Sequence, residues 1–101
     1  MTAKQRQQPS VHLVAYDSAG RLVQEQDLSW REYCERSHPL LDDAAYRKTR
    51  DIVRLSGTII DAHGQNSEEF EAQFDRAGLC IADAARFADG SVLGNWTRLH
   101  G

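Results

Sequence analysis

Cysteine is scarce in this chain. The two residues, Cys34 and Cys80, lie far apart and form no CxxC or CxxxC pair. A secreted scaffold of this size normally carries several bridges, so the count points to two reduced thiols in a cytoplasmic protein. Sequence alone leaves a Cys34–Cys80 bridge open. Long apolar runs are missing too. Residues 1–9 hold no apolar segment of the kind a signal peptide needs, and stretches such as Leu13–Ala15 fall far short of a membrane span. Positive charge is not in excess. Lys and Arg number 12 against 15 Asp and Glu, a net charge of −3, which makes a general nucleic-acid binder less expected.

Catalytic and cofactor motifs are missing as well. There is no P-loop, GxGxxG, GxSxG or HExxH. His12, His38, His63 and His100 fall in four different expected elements, and no pair has the spacing of a known metal motif. The sequence therefore calls for no metal and no cofactor. A thiol enzyme using Cys34 or Cys80 is one alternative; it needs a histidine within hydrogen-bond reach and a lowered thiol pKa.

What is present is an ordinary globular composition, 41% apolar and 27% charged over 101 residues. That supports one α+β domain over residues 11–101, behind a flexible, Gln-rich tail over 1–10. Val11–Tyr16 and Arg21–Gln26 read as the strands of a hairpin, closed by Asp17-Ser18-Ala19-Gly20. Ser29 and Glu32 make a capping box for a short helix, which Pro39 ends near Arg36 or Ser37.

Leu41 to Gly64 places Leu41, Ala45, Ile52, Val53, Ile59 and Ile60 on one helical face, and is read as a helix. Its β-branched run over 52–60, with Gly57, opposes that reading. Ser67 to Asp89 reads as a second helix with a stripe through Phe70, Phe74, Ala77 and Ile81, which Gly78 can end early. Together the two predict an antiparallel αα-hairpin. Ala88–Ser91 is a turn. Val92–Leu99 reads as a last strand at the hairpin edge or as an irregular tail anchored by Trp96. DSAG, DAHG and ADG echo one another without forming a solenoid repeat.

On that helical reading Arg47, Arg50 and Arg54 form one basic stripe, with Lys48 beside it. The stripe and Trp96 are the candidate partner-binding residues. Small size and missing catalytic motifs favour a non-catalytic binding or regulatory protein of the inhibitor, immunity or phage/plasmid accessory type. Its expected partner is another protein or a second copy of itself, not a membrane. A nucleic-acid regulator using the basic stripe is the second alternative.

Overall fold

The computed structural model describes residues 8–100. The tail expected over 1–10 lies outside them for residues 1–7, and Ser10 already opens the first strand. β1 (Ser10–Asp17) and β2 (Leu22–Ser29) form the expected hairpin. α1 (Trp30–Glu35) follows directly and starts on the expected capping box. Ser29 Oγ accepts from the Glu32 N–H at 3.1 Å, and the Glu32 carboxylate accepts from the Ser29 N–H at 2.9 Å. The helix ends at Arg36, in the left-handed region with φ 54°. Two short helices come next, α2 (Pro39–Asp42) and α3 (Ala44–Thr49).

The remaining chain corrects the sequence reading. β3 (Ile52–Ile60), β4 (Asn66–Phe74), β5 (Cys80–Phe87) and β6 (Val92–Gly94) run as an antiparallel meander, and α4 (Trp96–His100) follows. The sheet order is β2-β1-β3-β4-β5-β6. The expected helices over 41–64 and 67–89, and the αα-hairpin they would build, do not form; the protein is mostly a six-stranded antiparallel sheet with short helices. The last strand pairs with β5, not with the N-terminal hairpin.

The physical reasons are local. Phe70 and Phe74 are four apart, a spacing that suits a helix face and a period of two equally well. Ile52, Val53, Thr58, Ile59 and Ile60 are stiff at χ1 and pack well on a pleated surface. Turn chemistry then decides. Asp17, Asp61 and Asp75 each accept from the N–H groups two and four residues on, and Gly20, Gly64 and Gly78 each donate back to the Asp carbonyl. Phe87–Ser91 repeats the backbone pattern, with Asp89 bonding Ser91. One turn type, a type I turn with a left-handed glycine, thus makes every hairpin of the sheet.

The helices cover one face of the sheet. Val11, Leu13 and Ala15 of β1 point to it, with Leu28, Leu55, Ile59 and Phe74, and all are buried there with Leu40 and Ile52. Gly57 lies on the same face opposite Phe70. A Cβ at Gly57 would sit 2.1 Å from the Phe70 ring, so the glycine makes room for the aromatic. Gly94, with φ 85°, approaches the Asp83 and Ala84 backbone closely, and after it the chain crosses to the other face. There α4 lays buried Trp96 beside Arg86, and His100 reaches Glu71 at 3.3 Å.

The outer face near β2 holds a pH-sensitive contact. His12 bonds Asp27 at 2.6 Å and Glu25 at 2.8 Å. The Asp27 bond raises the His12 pKa, against the smaller opposing effect of burial, and Glu25 raises it further. A raised folded-state pKa stabilises fully below the free-chain value, about 6.5, and that stability is lost as pH rises through the raised value. The stability difference between the wild type and His12→Asn is expected to shrink across that window. Urea titrations at several pH values check it, and a pH-independent difference would refute it.

Candidate functional site

The two ends of the sheet differ in chemistry. At one end the edge strand β2 presents Glu25 and Asp27 besides exposed Leu22 and Val23, and such charges discourage a further strand from pairing. The other end is apolar. Leu79, Ile81 and Leu93 are 56%, 63% and 67% exposed, with Phe87 and Val92 beside them. β6 pairs only with Ala84, Ala85 and Arg86, so the Cys80–Asp83 stretch of β5 has no strand on its outer side among the described residues.

A groove of about 270 Å³ opens on the helix-covered face at this end. Its floor is Phe70 and Ala72 of β4 with Ala85 of β5, and Leu93 stands at its outer side. Its inner wall is α1 and α2, through Tyr33, Arg36 and Leu41. Tyr33 is fixed by a run of tilted rings: Trp30 lies 5.7 Å from it and Phe70 5.6 Å. Arg36 lies over the Tyr33 ring at 5.0 Å. On this face α1 and α2 stop short of β5 and β6, and this is why the groove exists.

Two carboxylates enter the groove. Glu68 and Asp83 share the face of Phe70 and Ala85, since Glu68 pairs with Phe87 and Asp83 with Ala72. Neither makes an ion pair or a side-chain hydrogen bond among the described residues. Burial pushes the Glu68 carboxyl above its ordinary value. Cys80 also lines the groove, with its thiol 3.6 Å from the Ala82 carbonyl. Both cysteines are free and exposed.

The basic residues expected on one stripe are dispersed. Arg47 is 6% exposed and acts inside the fold. Its Nε and Nη2 donate to the Gly78 carbonyl at 2.9 and 2.7 Å, its Nη1 donates to the Leu40 carbonyl at 3.1 Å, and its guanidinium lies 4.2 Å from the Phe74 ring. Arg50 folds back over Tyr46 at 3.5 Å at the end of α3, and Lys48 is exposed nearby. Arg54 is in β3 on the opposite face, over Tyr16 and 3.5 Å from Glu71. Trp96 is 8% exposed and stacks on His100 at 3.7 Å.

Sequence reasoning passed over Glu68, Asp83, Phe87 and Leu93. Glu68 and Glu69 fall in the first turn of the expected 67–89 helix, but as neighbours in a strand they point to opposite faces: Glu68 to the groove, Glu69 to Arg86. The alternation Glu68, Phe70, Ala72, Phe74 was the available signal. Comparison with protein-family models, with curated proteins and with solved structures finds no match to this chain. No helix among the described residues is long and apolar enough to cross a membrane. The site is therefore read from its own chemistry.

Proposed function

We propose that this chain is a small, non-catalytic binding protein of the cytoplasm, and that its partner is another protein engaged at the β5–β6 end. The observation that carries the reading is the run of exposed apolar side chains, Leu79, Ile81, Phe87 and Leu93, beside an open groove. An exposed apolar group next to a concave surface is the usual anchor of a protein interface. Two free, exposed thiols suit a reducing compartment. The dispersal of Arg47, Arg50 and Arg54 favours this end of the sheet over a basic helix face as the contact surface.

Immobilised protein tests it, with two variants incubated in lysate of the cells that make the chain. The wild type and Lys48→Glu are expected to retain the same discrete protein, and Leu93→Asp is expected to lose it. Leu93 is largely exposed, so the variant should fold, and circular dichroism checks this. Equal retention by all three, or retention of nothing, would count against the reading.

A further inference from the structure

Resting on that reading, we infer that the occupant of the groove is a basic amphipathic helix of another protein. The first ground is the missing layer. α1 and α3 pack on β1, β2 and β3, with α2 packed on α3, and they reach β4 through Tyr33 and Arg47, while the same face of β5 beyond them lacks a covering helix among the described residues. A sheet face with Phe70, Phe87 and Leu93 is completed most simply by a helix laid along the strands.

The second ground is charge. Glu68 and Asp83 stand in the groove without ion-pair partners among the described residues, and the wall contributes one guanidinium, Arg36, held against Tyr33. The excess is negative. Asp42 and Asp43 lie near the Cys80 end together with the guanidinium of Arg47, which offsets one of them. A half-buried carboxylate is costly until a cation meets it, so a Lys or Arg arriving at Glu68 gains more than at an exposed site.

The third ground is spacing. Asp83 is opposite Ala72, four residues along β4 from Glu68. At the strand rise this separates the two carboxylates by about 14 Å. On a helix the same length is about nine residues, or two and a half turns. Phe70, Ala85 and Leu93 stand side by side across β4, β5 and β6, so a helix laid along the strands meets all three with an apolar face near its middle, and the matching ligand carries Lys or Arg toward each end, one on each flank of that face. The described helices of this chain offer no such segment: α3 is docked through Arg47, and α4 through Trp96.

The test uses the whole chain and two labelled designed peptides of about 15 residues, a length near the limit of helix stability in water. Both carry the same leucine stripe, one flanked by Lys and the other by Glu. Fluorescence anisotropy gives the affinities, circular dichroism the induced helix, and amide NMR the location. The Lys peptide is expected to bind at least about tenfold more tightly than the Glu peptide. It should gain helix, shift the amides of Phe70, Ala85 and Leu93, and weaken as salt is raised. Glu68→Gln with Asp83→Asn should bring the two affinities together.

Equal binding of both peptides at these amides would overturn the basic class while leaving the binding site in place. New protection of the Cys80–Asp83 amides without helix gain would mean strand addition at the edge, and would overturn the inference too. No binding of either peptide, with no amide shifts, would overturn it as well. The lysate experiment with Leu93→Asp then tells separately whether the site itself fails.

Discussion

Gly78→Ala is expected to cost about 3–5 kcal/mol of stability, a large effect for one added methyl group. Two penalties coincide. Gly78 has φ 83°, where a side chain costs about 1–2 kcal/mol. The added Cβ would also lie 2.1 Å from the Ala44 carbonyl oxygen and 2.9 Å from its carbon. Those are backbone atoms at the start of α3, so no side chain can swing away. If the turn moves instead, the Gly78 carbonyl leaves Arg47, which holds it with two bonds. Gly64→Ala is the control. Gly64 has nearly the same φ, 82°, but open space around it, so only the backbone penalty applies. Urea midpoints at unchanged m-value separate the two variants. Equal losses would show that the close approach to Ala44 carries no energy.

Arg47→Met is expected to cost about 3–4 kcal/mol, from a residue that looks like a surface cation in the sequence. The guanidinium ties the Leu40 carbonyl of α2 to the Gly78 carbonyl of the β4–β5 turn and stacks on Phe74. Methionine fills much of the volume and leaves both carbonyls without their donor, at about 1–3 kcal/mol for each one buried. Arg47→Lys should recover less than half. An ammonium is a point charge that cannot reach both carbonyls and lie flat on a ring. Because Gly78→Ala acts through the same carbonyl, the double variant Gly78→Ala/Arg47→Met should lose clearly less than the sum. Additive losses would show that Arg47 and Gly78 act independently.

These two residues also show how far the sequence could be read. Elements made by neighbours were legible: the Asp17–Gly20 turn, the first hairpin and the Ser29–Glu32 capping box all form. The same Asp-x-x-Gly pattern at Asp75–Gly78 was hidden because Phe70, Phe74 and Ala77 suggested a helical stripe through it. Gly57 looked like a defect in a helix and is a seat for Phe70 in a sheet. Errors of element carried into the site. Arg47, Arg50 and Arg54 share a stripe only if 41–64 is one helix; the end of α3 at Thr49 and the strand from Ile52 send them to three places. The groove was out of reach for another reason. Its openness depends on how little β6 and the helices cover, and coverage follows from strand order, which no local pattern encodes.

Strand order also has a consequence for how the chain assembles. The pairs β1–β2, β3–β4, β4–β5 and β5–β6 each join strands consecutive in sequence, while β1–β3 pairs Ser10–Asp17 with Ile52–Ile60 across the segment that holds β2 and three helices. Hairpins form in about 1–10 μs, so both local pieces can be made early. The expected slow step is then a single loop closure along the β1–β3 seam, and its entropy grows only slowly with the length enclosed. Asp51 sits at the mouth of that loop, where its carboxylate accepts from the N–H and the hydroxyl of Ser18. It fastens the loop where its two ends meet, a clasp on the one pairing of the sheet that joins strands far apart along the chain.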